Sequence, residues 1–273
     1  MRFRSLSIVA STLAAASLAV GSAHAQEPTK ATSPTPSAKA LEAQRLELLK
    51  AVRSGASDAE VEKRTGLKKV GKLISNPEAA PQSTLALTSA DPDPSDLSVQ
   101  APNFYYDPSN QTYSVITGAY IGITPETGYD HAVGGRDGIG LRFSRPIQNL
   151  GGNAWAGSTW SGNTASPYPA EWELTNYFAN SQYGVSWSLQ DRHADFFANG
   201  NYGAGKNAAY IDIVFSMKTL DSQCIQAFSN YAHTWSSTGI TGFGVGPYSF
   251  SVSWSSDSHV IQRASDGGSE SCG

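Results

Sequence analysis

Charge, cysteine and long apolar runs are scarce in this sequence. Only 15% of its 273 residues are charged, against about a quarter in an average soluble chain. The 19 basic and 23 acidic side chains leave a formal charge of −4, so no nucleic-acid partner held through its phosphates is expected. After the first 25 residues no apolar run approaches the twenty or so residues of a bilayer span. No phosphate loop or dinucleotide fingerprint appears: Gly242-Phe243-Gly244-Val245-Gly246 lacks the helix that such a motif must open. No Gly-x-Ser-x-Gly nucleophile turn is present either, and Gly157 to Gly162 resembles one only loosely. No cofactor is expected.

Aromatic residues are missing from a long early stretch. Between Gln26 and Pro102 there are none, whereas all 12 Tyr, all 6 Trp and 9 of the 10 Phe lie from Phe104 onward. Charge divides at the same place. Residues 26–100 carry 10 Lys/Arg against 10 Asp/Glu, and residues 101–273 carry 7 against 13, a net −6. The chain is therefore read as three parts: 1–25, 26–100 and 101–273.

The first part opens Met-Arg-Phe-Arg, runs apolar and small from Leu6 to Gly21, and ends Ala23-His24-Ala25. A basic start, a short apolar middle and an Ala-x-Ala ending spell a secretory signal peptide cleaved after Ala25. Its Ala-rich style is bacterial in composition. The product is expected to be extracellular. The two cysteines, Cys224 and Cys272, then form a disulfide. It closes a loop of about 48 residues and stabilises the fold by about 3–4 kcal/mol on the chain-entropy model.

In the second part, Gln26 to Ser37 is Pro/Ser/Thr-rich and lacks the apolar content to fold. Ala38 to Arg53 reads as a helix with a stripe of Leu41, Leu48, Leu49 and Val52, ended by Gly55. Ser57 caps a second short helix, with Glu60 in the capping-box position. Lys68 to Ile74 fits either helix or strand. Asn76 to Gln100, with Asp91-Pro92-Asp93-Pro94, is a linker composition. This region is a pro-segment, an inhibitory prodomain or a spacer.

The third part alternates as strands do. Phe250, Val252 and Trp254 interleave with serines, and so do Val185, Trp187 and Leu189. Ile139, Leu141 and Phe143 make a third apolar face, and Ile211, Ile213, Phe215 and Met217 a fourth, opposite Tyr210, Asp212 and Val214. Further strands are expected at Tyr113–Ile123, Glu171–Phe178, Ile225–Ser236 and Ser258–Ala264. One wet and one apolar face per strand predicts an all-β fold. The expected form is an antiparallel β-sandwich or jelly roll, preceded by the short helical region and its Pro-rich linker, with an up-and-down barrel as the alternative.

Three constellations could carry function. Glu171 and Glu173 fall on one strand face, about 6.5–7 Å apart at the backbone. Side-chain rotation could bring their carboxyls to the roughly 5 Å of retaining glycoside hydrolysis. Asp191, His193 and Asp195, if extended, share a face and offer two oxygen donors and an imidazole to a divalent metal. Trp155, Trp160, Tyr168 and Tyr177 lie among small polar residues, as ligand-stacking aromatics do. Tyr231, His233 and Trp235 alternate as well, which suits a hydrogen-bonded core histidine. The leading function is a secreted non-enzymatic module that binds carbohydrate or a cell surface. The alternative is a secreted hydrolase of glycoside type made with a pro-segment, and a pore-forming or inhibitory protein is a third reading.

Overall fold

Two helices open the fold because the sequence caps both. Helix α1 (Ala38–Arg53) starts at Ser37, whose hydroxyl accepts from the Ala40 N–H, and it ends with Lys50 and Arg53 at the negative end of its dipole. Helix α2 (Asp58–Thr65) starts at Ser57 in the same way and stops at Gly66, whose φ of 74° is left-handed. The structure is a computed structural model that describes residues 36–77, 82–83, 97–121, 136–157, 171–174, 177–190, 196–198, 201–203, 210–234, 238–247, 249–255 and 260–272.

The strands form two packed antiparallel sheets. The first runs β1 (Lys68–Val70), β5 (Asn103–Asp107), β6 (Thr112–Ile121), β14 (Tyr210–Thr219), β8 (Ile147–Gly157) and β9 (Glu171–Leu174), with β4 (Leu97–Val99) also beside β6. The second runs β10 (Tyr177–Ser181), β11 (Gly184–Gln190), β7 (Arg136–Phe143), β15 (Ile225–Thr234), β18 (Val260–Ala264) and β3 (Gln82–Ser83). In that sheet β19 (Gly267–Ser271) joins β15 to β2 (Lys72–Ser75). Two separate hairpins are β12 (Phe196–Ala198) with β13 (Asn201–Gly203), and β16 (Ile240–Val245) with β17 (Phe250–Trp254). The fold is the expected sandwich. Its core holds the three alternating sets from β7, β11 and β14, with Phe104 and Val115 among the residues that complete it.

Two expectations change in detail. Glu171–Phe178 is not one strand. Leu174 ends β9 against the core of the first sheet, and Tyr177 opens β10 opposite Trp187 in the second. Lys68–Ile74 is neither helix nor a single strand but two strands hinged at Gly71, whose φ is 87°.

The compositional break near residue 101 is not a break in packing, because Ser33–Gly273 forms one compact unit. Strand β14 shows why. Its inward residues fill the sandwich, but Val214 points outward into a second cluster with Tyr105, Ile116 and Trp155. Leu48, Leu49 and Ala51 of α1, Val61 of α2 and Leu67 cover that face. Polar anchors fix the helices: Arg45 Nε donates to Asn153 Oδ1 (2.6 Å), and Arg53 pairs with Asp212 through Nε (2.8 Å) and Nη2 (2.7 Å). The segment also adds β1 to the first sheet, and β2 and β3 to the second.

The outer face of the second sheet is covered differently. Gly138 and Gly140 of β7 leave room where Phe243, Ile240 and Phe250 of the β16–β17 hairpin press onto the sheet, and a Cβ at either glycine would strike those rings. Both sheets therefore carry a second layer.

Leu48 is fully buried under that helical layer. Leu48→Ala should lower stability by about 2–5 kcal/mol, read from urea unfolding. A loss below about 0.5 kcal/mol would mean that the helices do not rest on the sheet. The buried Asp107 carboxyl gives a pH signature. Burial alone would raise its pKa, but donation from Asn110, Gln44 and the Ser109 N–H holds it below its ordinary value. A lowered carboxyl stabilises the fold above its unfolded pKa of about 3.9, and that contribution disappears as pH falls through the lower folded value. The stability advantage over Asp107→Asn should thus be full at pH 6 and shrink below about pH 4 in denaturant titrations.

Candidate functional site

Strand register sorts the connections into two ends. At one end lie the turns between β5 and β6, β7 and β8, β10 and β11, and β14 and β15, all short. The Cys224–Cys272 disulfide closes this end beside the Ile225↔Ser271 pair. At the other end Tyr120, Tyr210, Gly157 and Glu171 form one row across the first sheet, while Gln190↔Arg136 and Thr234↔Val260 end the second. Here the chain leaves and returns through 122–135, 158–170 and 191–209, and through the shorter 235–239 and 255–259. We call these the closed and open poles.

A polar cluster is buried between the sheets at the root of the open pole. Asp137, in phase with Ile139 and Leu141 on β7, is fully buried. Its Oδ2 accepts from the Tyr231 hydroxyl (2.6 Å) and from His233 Nδ1 (2.7 Å), and its Oδ1 accepts from the Thr234 N–H (2.7 Å) and hydroxyl (3.3 Å). Four donors satisfy the buried carboxyl. The arrangement puts the ring proton on Nδ1 of His233, as in acid–base relays, but the His233 side chain is only 1% exposed. Its role on this geometry is to tie the first turn of β7 to the last residues of β15. His233 is the hydrogen-bonded core histidine that its alternation suggests. Asp137 escaped sequence reading, although its phase with the apolar residues of β7 was the available signal.

The outer face of the first sheet carries a second group at the same pole. Asp212 lies opposite Gly118, where a Cβ would collide with its carboxyl oxygen. Arg53 at the end of α1 grips that carboxylate and sits 5.1 Å from the Tyr210 ring centre. Tyr120, opposite Tyr210, is 44% exposed.

The anticipated residues separate by place. Glu171 is in register with Gly157 and Glu173 with Trp155, so both positions belong to the outer face at the open pole. Trp155 shares that face but is buried, 7% exposed, under the helices. Tyr177 lies on the other sheet, half-buried with its ring 5.0 Å from Trp187, and burial pushes its phenol up. Trp160, Tyr168, Asp191, His193 and Asp195 lie outside the described residues. Their segments, 158–170 and 191–195, begin at strand ends of the open pole. Among the described residues, Glu270 approaches Cys224 and Cys272, but both sulfurs are bonded to each other and offer no thiolate.

No protein-family model matches the chain, and no curated protein matches its sequence. Among solved structures it is similar to the C-terminal domain of the Streptococcus agalactiae AgI/II polypeptide BspA, at 10% identity and a TM-score of 0.32. That match covers 59% of this chain, which spans 42% of the length of the other. A second is a chain from work on pH-induced modulation of Streptococcus parasanguinis adhesion by Fap1 fimbriae, with 11% identity, a TM-score of 0.27 and coverage of 75% and 89%. A third is AvmM, which catalyses macrocyclization in alchivemycin A biosynthesis, with 6% identity, a TM-score of 0.21 and coverage of 56% and 79%. Likeness at this level carries no argument about function.

Asp137→Ala would strip three buried groups, the Tyr231 hydroxyl, His233 Nδ1 and the Thr234 N–H, of their acceptor. The expected cost is about 3–5 kcal/mol in chemical denaturation. Asp137→Asn, which keeps one acceptor, should lose less. Equal stability of Asp137→Ala and the parent would refute the clamp.

Proposed function

We propose that this protein is an exported, non-enzymatic β-sandwich that binds carbohydrate or a cell surface through its open pole. The observation that carries this reading is the asymmetry of the two ends. One end is closed by tight turns and a disulfide, a bond of oxidising compartments. At the other the strands that lead into the long connections end together on a rigid base, the arrangement by which β-sandwiches present recognition loops. The sequences of those connections are rich in Ser, Asn, Gly, Tyr and Trp, which suit polyhydroxylated ligands. In this reading residues 38–75 stay with the mature protein, since their loss would uncover Tyr105, Ile116, Trp155 and Val214.

A second reading keeps one supporting observation. The register that puts positions 171 and 173 on one face suits a carboxylate pair in a secreted hydrolase of glycoside type. Asp191, His193 and Asp195 remain a proposed metal set, and Trp160 and Tyr168 proposed ligand contacts, all in segments that start at the open pole.

Replacing residues 158–170 by a short Gly/Ser linker tests the pole. The variant should keep its thermal midpoint and lose binding to whichever array glycan or bacterial surface the parent binds. Unchanged binding would move the site elsewhere. Release of reducing ends from polysaccharide, abolished by Glu171→Gln or Glu173→Gln, would favour the hydrolase instead.

A further inference from the structure

We propose that the Tyr120–Tyr210 row, bordered by the Arg53–Asp212 pair, is a subsite for one neutral pyranose ring; this rests on the carbohydrate reading above. The argument begins with what the helices cover and where they stop. Along the outer face of the first sheet, Ile116, Val214 and Trp155 are sealed under α1 and α2. Helix α1 ends at Arg53, over Asp212 and Tyr210. One row further towards the open pole, Tyr120 is 44% exposed, an open aromatic beside this covered face.

Its surroundings are built rather than bare. Directly opposed residues of an antiparallel pair hold their Cβ atoms about 5 Å apart, so Tyr120 and Tyr210 stand side by side. Position 118, the preceding outward position on β6, is a glycine, and the Asp212 carboxylate lies across it. Arg53 Nε and Nη2 both meet Oδ2 of Asp212, and Oδ1 lies towards Gly118 on the Tyr120 strand. The side chains of Arg53 and Asp212 are 32% and 19% exposed. An open aromatic ring therefore adjoins a fixed, partly exposed acceptor and a fixed, partly exposed guanidinium.

That combination selects the ligand. The C–H face of a sugar ring packs on an aromatic, while a carboxylate and a guanidinium take its hydroxyls as donors and acceptors. The pair sums to no net charge, and residues 101–273 carry 7 basic against 13 acidic side chains, so an anionic sugar or phosphate would be repelled. Two adjacent strands about 4.8 Å apart make a platform about one ring wide.

The test uses the full chain and four neutral probes: cellohexaose, xylohexaose, mannohexaose and chitohexaose. The parent should bind at least one, with an affinity nearly constant between low and high salt. Tyr120→Ala should weaken binding about tenfold or more with an unchanged thermal midpoint, and Tyr120→Trp should restore it. Asp212→Asn, which keeps an acceptor but loses the charge, should weaken binding less than Tyr120→Ala. If the parent binds and Tyr120→Ala binds equally well, the subsite is refuted and the module reading stands. If the parent binds neither these four nor an acidic glycan, the carbohydrate reading falls and the subsite with it. Binding to acidic glycans alone would refute the neutral ring while keeping the module.

Discussion

The middle of the first sheet is buried on both faces, and most of the architecture follows from that. A strand with one wet face needs only alternation, but β14 must satisfy two interiors. Ile211, Ile213, Phe215 and Met217 face the sandwich, while Val214 faces the helices. Polar residues on the outward side are then tolerated only with partners. Asp212 has Arg53, and Ser216 has Ser114 and Arg45. The helical segment is thus bound by apolar area and also by charge-assisted contacts that would be orphaned without it.

The sandwich divides its labour by end. Tight turns need little sequence and hold the closed pole, where Asp107 organises the β5–β6 turn by accepting from Ser109 and Asn110. At the open pole the strands end in longer connections, and rigidity has to come from the strands beneath. The Asp137 cluster supplies it on the inside, between β7 and β15, and the Arg53–Asp212 pair supplies it on the outside, between α1 and β14. Recognition loops require a base of this kind, since a ligand contact is only as well placed as the residues that hold its root.

Much of this was readable in the residues. Period-two alternation marked β7, β11, β14 and β17, the leucine stripe marked α1 and the Ser57 cap marked α2, because each depends on neighbours in sequence. The disulfide followed from an even cysteine pair in a chain read as exported. Relations across the fold were not readable. Val214 sat on a face read as wet, and nothing local announced that helices would cover it. The aromatic-free composition of residues 26–100 suggested a separable piece, yet Leu48, Leu49 and Val61 complete a cluster whose aromatic members, Tyr105 and Trp155, come from the other side of the break. Trp155 and Tyr177 were read as ligand-stacking aromatics, and both are packed against neighbours. Tyr120 was unremarkable in sequence, since its exposure depends on where α1 stops.

Helix α1 runs from the closed pole towards the open one. Pro36 and Ala40, near its start, line a groove with Asn110 of the β5–β6 turn, and Arg53 at its end reaches Asp212. Cys272 lies at the closed pole as well. The described chain therefore starts and ends on the side of the sandwich away from the open pole. Anchored by either terminus to a wall, a bead or a fusion partner, the protein would stand with its open pole facing outward, already oriented for display.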